Sequence, residues 1–231
     1  MSYAYALWSG LLLAIWLLVF AGLTSSAGRR QMLVTSALTA ALGLTEPLFV
    51  PEYWNPPTLF DLAQRTGFDL ESLIFAFAAG GLAGSLYEWL FPVRHRSVPD
   101  AERLGRGHRW HGLALVSPAV VFLPLYLVDM LNPIYAVIVA LALGGTFTAW
   151  CRPDLLPKML TGSVLFGALY FLFFVSLVWV HPAYVEQVWN LAGLSGVLLL
   201  GVPLEEVLFA LGLGFLWSGA YEHLLWSRAA R

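Results

Sequence analysis

The sequence predicts an all-α fold, a polytopic integral membrane bundle of about seven transmembrane helices. Three observations predict it: the apolar composition, a series of long apolar runs, and the distribution of basic residues. Of the 231 residues, 59% are hydrophobic and 11% are charged, and the mean hydropathy is +0.76. Soluble proteins carry about 25% charged residues, so these few charges could not cover a water-exposed surface. Lipid is therefore expected to surround much of the chain.

The long apolar runs each approach the length of about 20 residues that a helix needs to cross a bilayer. An apolar stretch that begins near Leu191 is too long for one span, so Pro203 is expected to break it. Segment 191–202 should then lie in the interface or re-enter the membrane. The first run lacks a basic flank and is interpreted as a retained span. The seven predicted spans are 3–23, 31–50, 69–91, 111–128, 133–150, 158–181 and 204–226.

The basic residues predict the orientation of the chain, because cytoplasmic loops retain Lys and Arg. Arg65 alone falls on one side of the predicted spans, and the other eleven basic residues fall on the opposite side. This partition predicts an extracytoplasmic N-terminus and a cytoplasmic C-terminus in the cell membrane. The eleven residues are Arg29, Arg30, Arg94, Arg96, Arg103, Arg106, Arg109, Arg152, Lys158, Arg228 and Arg231.

An internal repeat relates the two halves of the chain. A shift of 134 residues aligns 68–91 with 202–225 and gives 9 identities in 24 positions, where composition alone would give roughly two. In addition, the segment around Trp54 resembles the segment around Trp189. We therefore predict two parallel three-helix repeats, related by a pseudo-two-fold axis along the membrane normal. The predicted units are a first repeat over 1–91, a basic loop with a linker helix over 92–131, and a second repeat over 132–231.

Four carboxylates in the outer layer are candidates for chemistry: Glu46, Glu71, Glu205 and Glu206. An ionisable residue within a span is costly unless it is paired, protonated or facing a cavity. Mutual repulsion and burial should keep at least one of these groups protonated near neutral pH, as a general acid requires. Three further acids are favoured as interfacial caps: Asp61, Asp129 and Glu186.

Small and aromatic side chains suggest where a substrate could lie. A stripe containing Ala78 beneath Glu71, and Gly212 beneath Glu205, could form a groove, with helix packing as the alternative. Small residues on the opposite face, Gly80 and Gly84, mirrored by Gly214 and Ser218, are expected to pack helices together. Aromatic faces could stabilise a carbocation; belt or core packing is the alternative. The aromatic candidates are Tyr53, Trp54, Phe75, Trp189, Phe209 and Trp217.

Other patterns carry less information. The Tyr87-Glu88 and Tyr221-Glu222 pairs are interpreted as interfacial anchors, or otherwise as a second pair of acid groups. His108 and His111 lie in a basic loop without an evident further ligand, which favours a solvated face over a zinc site. The single cysteine, Cys151, allows neither an internal disulfide nor a thiolate cage. We therefore expect no metal and no cofactor, and the net charge of −2 argues against nucleic acid as a partner.

The sequence Pro203-Leu204-Glu205-Glu206, together with the repeated Leu-Glu helix and the paired three-span units, resembles the membrane-embedded, cofactor-free lycopene cyclases in their fused two-repeat form. In that family a Pro-x-Glu-Glu/Asp motif is held to be catalytic. The first repeat reads Asp69-Leu70-Glu71-Ser72 and lacks the proline and the second acid. The resemblance implies an acid–base, redox-neutral cyclisation of the ends of a linear carotene, of the lycopene to β-carotene type, through a carbocation.

Within that chemistry the sequence suggests distinct roles for the adjacent acids. Neighbouring helical residues are about 100° apart, so Glu205 is expected to face the polyene. Glu206, with Glu46, is expected to take an outer hydrogen-bonding role. The implied partners are a polyene dissolved in the bilayer, membrane lipid, and either a second copy of the chain or other carotenoid-pathway enzymes. Alternatives are a related hydratase, a cyclase for elongated carotenoids, a small proton-coupled transporter, or a non-catalytic partner subunit.

Overall fold

The computed structural model of the chain describes residues 3–128 and 131–230. Two residues used above, Asp129 and Arg231, lie outside these ranges. The fold is mostly helical, with two small strand pairs. The helices are α1 (Ala4–Gly22), α2 (Ser26–Gly43), α3 (Leu62–Thr66), α4 (Leu70–Leu90), α5 (Asp100–Arg103), α6 (His111–Leu127), α7 (Pro133–Cys151), α8 (Leu156–Val180), α9 (Tyr184–Val188) and α10 (Leu204–Leu225). The strands are β1 (Arg94–Ser97), β2 (Leu198–Leu199), β3 (Val202–Pro203) and β4 (Ser227–Ala230).

Each of the seven predicted spans overlaps one long helix of the described chain, but these helices differ in apolarity. By length and composition, four segments of the described chain could cross a membrane: Ala4–Gly22, Leu70–Leu90, Pro133–Cys151 and Pro153–Val180. These four helices are compatible with membrane insertion. Helix α6 is apolar but shorter. Helix α2 ends at Gly43, well before the predicted residue 50, and it carries a buried polar face that includes Gln31, Thr35 and Thr39.

Pro203 breaks the last apolar stretch, as the sequence predicts, and α10 begins at Leu204. The preceding segment is a short 3-10 turn followed by the antiparallel pair β2–β3. Its turn is formed by Leu200 and Gly201, which both have positive φ angles, of 51° and 85°. A hydrogen bond of 2.9 Å from the Leu204 amide to the Val197 carbonyl closes this hairpin onto the helix. The hairpin therefore fixes the first turn of α10.

Two helices, α4 and α10, each pack on two other long helices. Helix α4 packs on α1 and α2, and α10 packs on α7 and α8. Helices α4, α8 and α10 also contact one another at the centre, and α6 packs mainly against α7. The expectation that small residues serve helix packing is confirmed. Gly80 and Gly84 lie against Thr39 and Thr35 of α2, and Ser218 lies against Gly162 of α8.

Two antiparallel pairings join equivalent segments of the chain to each other. At the first, Trp54 bridges Trp189. There the Asn55 amide donates to the Val188 carbonyl (2.8 Å), and the Asn190 amide donates to the Tyr53 carbonyl (3.0 Å). A shift of 135 residues relates Tyr53 to Val188 and Asn55 to Asn190. Each bond therefore has the same form as the other, and the two form a reciprocal pair. Local two-fold pairing therefore holds the loops that precede α4 and α10.

The second pairing joins β1 to β4, the segments that follow α4 and α10. Its register places His95 opposite Ala229, and Arg94 opposite Ala230. The shift of 134 residues maps His95 onto Ala229, so this register is also centred on equivalent positions. The two pairings lie at opposite ends of α4 and α10, and these helices therefore run in the same direction. We call these ends the Glu206 end, where α10 begins, and the His223 end, where it finishes.

The close approach of α10 and α8 predicts that Gly214→Ala destabilises the protein. A Cβ at position 214 would lie 2.9 Å from the Gly162 carbonyl oxygen and 3.0 Å from the Ser163 Cα atom, which are backbone atoms of α8. Overpacking of this kind costs about 1–3 kcal/mol. Thermal unfolding in detergent micelles measures the loss. Gly10→Ala is the control, because nothing lies within 4 Å of a Cβ there, and equal stability of the two variants would contradict this packing.

Candidate active site

An aromatic cavity lies at the Glu206 end, between α1, α4, α7, α8 and α10. Its volume is about 170 Å³, close to the roughly 150 Å³ of an engineered dry cavity that binds benzene. Among the described residues, Glu206 is the one charged side chain that lines it. The space therefore suits one end of an apolar molecule, beside a single carboxyl group. Its aromatic walls include Tyr5, Trp54, Phe75, Phe174, Trp189 and Phe209.

Glu206 is buried and receives three side-chain hydrogen bonds. Its Oε1 atom accepts from the Tyr53 hydroxyl and from Trp189 Nε1, the latter at 3.0 Å, and its Oε2 atom accepts from the Tyr170 hydroxyl at 2.8 Å. Three donors directed at one carboxyl group stabilise its ionised form. The three hydrogen bonds therefore favour a negative charge on Glu206, and burial in the apolar cavity opposes it.

Two of these donors are held by the pairing of the outer loops. Trp189 is itself paired with Trp54 in the bridge, and Tyr53, which precedes Trp54, accepts one of the two reciprocal bonds at its carbonyl oxygen. Burial, with Glu206 close by, raises the pKa of Tyr53 well above its ordinary value. Its hydroxyl therefore keeps its proton near neutral pH and can donate to Glu206.

The expected orientation of the two adjacent acids is reversed in the structure. Glu205 does not line the aromatic cavity. Its Oε1 atom accepts from the Tyr135 hydroxyl at 2.7 Å and from the Ser195 amide at 2.8 Å. The physical reason is the 100° step between neighbouring helical residues: Glu205 turns toward α7 and the hairpin segment, and Glu206 turns toward α8. Glu205 thus holds the loop that leads into α10.

Glu71 makes the corresponding contact in the first half of the chain. Its Oε1 atom accepts from the Leu59 amide at 2.6 Å, so it also holds the loop that precedes its helix. At the position that corresponds to Glu206 the first half has Ser72. The Ser72 hydroxyl lies 2.7 Å from the hydroxyl of Tyr5, which lines the aromatic cavity, and 3.2 Å from Asp69 Oδ2. Ser72 is therefore connected to the cavity through Tyr5.

Glu46 lies outside the aromatic cavity. It is buried in the 3-10 turn after α2, lines a separate pocket with Asn55 and Gln64, and interacts electrostatically with Asp69 and Glu71. The structure therefore places Glu46 with the acids of the first half and not beside Glu206.

The predicted substrate contacts divide into two groups. Four of them line the aromatic cavity beside Glu206: Trp54, Phe75, Trp189 and Phe209. The other three lie elsewhere. Ala78 is fully buried in α4, a Cβ on Gly212 would meet Leu141 of α7 at 3.1 Å, and Trp217 Nε1 lies 3.4 Å from the Thr35 carbonyl oxygen. At Gly212 the stripe of small residues packs α10 on α7 and leaves no groove.

Sequence reasoning missed several cavity residues, above all Tyr170 and Phe174 of α8 and Tyr5 of α1. Tyr170 is the one tyrosine of α8. Because a buried tyrosine hydroxyl usually needs a hydrogen-bond partner, a tyrosine inside an apolar span was a usable signal. Phe174 carries no comparable signal, since a phenylalanine in an apolar helix usually belongs to the core.

The Tyr-Glu pairs at the His223 end are not interfacial anchors. Glu88 and Glu222 are both buried, and the buried ammonium group of Lys158 forms ion pairs with both carboxylates. His95 Nε2 lies 2.9 Å from Glu222 Oε1. The physical reason is that carboxylates at the ends of two adjacent helices can share one cation, which offsets the cost of burying them. This cluster joins α4, α8 and α10.

The expectation of a solvated histidine face is wrong for His111. That side chain is buried at the start of α6, where it lies close to Cys151 and His223 from the ends of α7 and α10. The sequence could not place these residues together because long segments of chain separate them.

Comparison with known proteins adds one finding. A family model described as lycopene cyclase matches residues 132–224. The matched segment runs from the start of α7 almost to the end of α10 and includes Tyr170, Trp189 and Glu206. No curated protein and no solved structure matches the chain. The family match supports carotenoid cyclase activity in general.

The buried ion-pair cluster predicts that Lys158→Met strongly destabilises the protein. The substitution leaves Glu88 and Glu222 as buried carboxylates without their shared cation, and breaking a buried pair in this way costs about 3–5 kcal/mol. Denaturant unfolding in detergent micelles measures the change. The matched test adds Glu88→Gln and Glu222→Gln to Lys158→Met, which removes the charges together and should restore much of the lost stability. A single Lys158→Met variant as stable as the native protein would contradict this account.

Proposed function

We propose that this protein is a membrane-embedded carotenoid cyclase that closes a ring at the end of a linear carotene, of the lycopene to β-carotene type. The observation that carries the proposal is the carboxyl group of Glu206, which faces an aromatic cavity beneath three hydrogen-bond donors. The family match over residues 132–224 supports the same class of reaction. The reaction is an isomerisation and consumes no electrons.

In the first step the protonated carboxyl group of Glu206 donates its proton to the terminal double bond of the polyene. An alkene is a very weak base, so this step needs a strong acid. The bonds from Tyr53, Tyr170 and Trp189 stabilise the carboxylate that the step leaves behind. Donors directed at the place where charge develops lower the barrier, because they need no reorganisation during the reaction.

The next steps form the ring and restore the proton. The tertiary cation is attacked by the neighbouring internal double bond, which forms one carbon–carbon bond and moves the positive charge into the new ring. A carboxylate then removes a proton from a ring carbon, leaving a ring double bond and a protonated acid. We assign this base to Glu206 as well, since it is the carboxylate beside the cation. Atoms and charge balance over the cycle.

The aromatic walls suit a carbocation. The π faces of rings such as Phe75, Phe174 and Phe209 attract positive charge. The hydroxyl groups of Ser9 and Tyr184 also line the cavity and have no hydrogen-bond partner among the described residues. The walls therefore suit the cation that a cyclase and the related hydratase share, and the product distinguishes the two activities. The cavity volume of about 170 Å³ fits one end group of the carotene, with the remaining chain extending into lipid.

We further propose that the chain is a fusion of two parallel three-span repeats, with seven spans, an extracytoplasmic N-terminus and a cytoplasmic C-terminus. Two antiparallel pairings between segments related by the repeat shift support this symmetry: the bridge of Trp54 with Trp189, and β1 with β4. The equivalent bonds of Glu71 and Glu205 to their preceding loops support it too. The halves differ at Ser72 and Glu206, so the second half supplies the acid. Glu71 and Glu205 position loops, and Glu46 tunes the charge among the acids of the first half.

The proposal predicts that Glu206→Gln nearly abolishes ring formation. Glutamine keeps the shape of the side chain and removes the acid, and general acid catalysis contributes about 10²- to 10⁴-fold. The measurement is pigment chromatography after expression in a lycopene-accumulating host.

Two substitutions serve as controls for that experiment. Glu186→Gln, at an exposed glutamate of α9, should leave the pigment profile unchanged. Glu205→Gln should retain more activity than Glu206→Gln, because a glutamine oxygen can still accept the bond from the Ser195 amide. Full activity of the Glu206→Gln protein would overturn the assignment, and a hydroxylated acyclic product from the native protein would identify a hydratase.

The donors to Glu206 give a second prediction, for Tyr53→Phe. Loss of one donor to a developing carboxylate should lower the rate of ring formation about 10²- to 10³-fold, the cost of removing an oxyanion-hole donor. The matched control is Tyr135→Phe, which removes a tyrosine hydroxyl from Glu205 and should have a much smaller effect. Conversion of lycopene by isolated membranes measures both rates. A greater loss from Tyr135→Phe would instead make Glu205 the reacting acid.

A further inference from the structure

A compact group of nitrogen and sulfur donors lies at the His223 end. His108 precedes α6, His111 begins α6, Cys151 ends α7, and His223 lies near the end of α10. The Cys151 Sγ atom is 3.7 Å from His108 Nδ1 and 3.7 Å from His111 Nδ1. One ligand atom each from His111, Cys151 and His223 lies within 4.8 Å of the other two. Three potential ligands from three helices therefore converge, and His108 lies beside the cysteine as a fourth.

The distances in this group fit tetrahedral coordination. Zinc lies about 2.3 Å from a cysteine sulfur and about 2.0–2.1 Å from a histidine nitrogen, and a tetrahedral angle then separates the sulfur and nitrogen by about 3.6 Å. Both observed sulfur–nitrogen distances are 3.7 Å. The cysteine sulfur and these two histidine nitrogens therefore stand at nearly the separation that they would have around one zinc ion.

One buried nitrogen atom that could ligate the metal lacks a hydrogen-bond partner within the described part of the chain. It is Nε2 of His223, on a side chain that is 1% exposed. An unpaired buried polar atom is costly. A bound metal ion would give this nitrogen a partner. The other ring nitrogen of His223, Nδ1, lies 3.4 Å from the Thr148 hydroxyl. A contact of this kind orients a metal-bound histidine.

The surroundings are compatible with a bound cation. The guanidinium group of Arg152, which interacts electrostatically with His111 and His223, makes two hydrogen bonds to Asp154, at 2.8 and 2.7 Å. The ring of Trp226 stacks on His111, with centroids 3.8 Å apart, and covers the group. His108 is only half-buried, so it leaves an entry path from solvent. The nearby carboxylate cluster of Glu88 and Glu222 is a poorer candidate because Lys158 already occupies it.

We propose that His108, His111, Cys151 and His223 form a structural zinc site. The metal ties the basic loop and α6 to the ends of α7 and α10, which fixes the linker against the second half of the chain. Glu206 and His223 are 17 residues apart on α10, about 25 Å along the helix. The zinc site is therefore remote from the aromatic cavity, and its existence does not depend on the proposed cyclase activity.

The test uses the full chain in detergent micelles, stripped with a chelator and titrated with Co²⁺ and then with Zn²⁺. Cys151 is the one cysteine of the sequence, so a thiolate-to-cobalt charge-transfer band can arise only from this residue. The expected result is tetrahedral cobalt absorption with that band, displacement by one equivalent of Zn²⁺, and a zinc-dependent rise in melting temperature. Cys151→Ser should remove the band and the rise.

Two further variants keep the test decisive if Cys151→Ser folds poorly. Thr148→Val retains all four ligands and should weaken zinc binding about 10- to 100-fold, the usual effect of losing a contact that orients a ligand. His181→Asn, at the Glu206 end, should bind zinc as the native protein does. The proposal is overturned if the native protein gives no charge-transfer band. It is equally overturned if Thr148→Val binds zinc as tightly as the native protein and the His181→Asn control do.

Discussion

The burial of one carboxyl group, that of Glu206, is the constraint on which the arrangement at this end of the bundle depends. A buried charge is tolerated only when hydrogen bonds replace the water that it loses. The three donors come from three separate parts of the chain: Tyr53 follows α2, Tyr170 lies in α8, and Trp189 follows α9. The group is satisfied only when both outer loops and two helices meet. The same hydrogen bonds that offset the cost of burial also stabilise the carboxylate that Glu206 becomes when it gives up its proton.

The two halves of the chain use equivalent residues for support and differ where the chemistry is placed. Glu71 and Glu205 each accept a backbone hydrogen bond from the loop before their helix, so both are engaged in holding structure. At the next position the first half has Ser72 and the second has Glu206. A second carboxylate at position 72 would add a like charge to the region of Asp69 and the aromatic cavity. Because the halves differ at this position, Glu206 is the single acid that lines the cavity among the described residues. Its three hydrogen-bond donors therefore serve one carboxyl group.

Polar contacts also organise the opposite end of the bundle. Lys158 lies between Glu88 and Glu222, and the pairing of β1 with β4 closes the chain beside them. Such groups are costly in an apolar environment unless each finds a partner, so they select one arrangement of α4, α8 and α10. Packing of small residues such as Gly214 brings the helices close enough for these contacts. Together these contacts keep the two central helices in register over their whole length.

The sequence by itself determined the approximate positions of the long helices, the break at Pro203, the internal similarity of the two halves, and four of the aromatic residues that line the cavity beside Glu206. These features follow from apolar run length, local backbone chemistry and internal similarity, all of which are readable along the chain. Only the tertiary structure decided that Glu206 and not Glu205 faces the cavity, that Lys158 joins two glutamates, and that Cys151 meets the histidines. The physical reason is that a side chain's direction about a helix axis becomes meaningful only when its neighbours are in place. Those neighbours come from segments far away in the sequence.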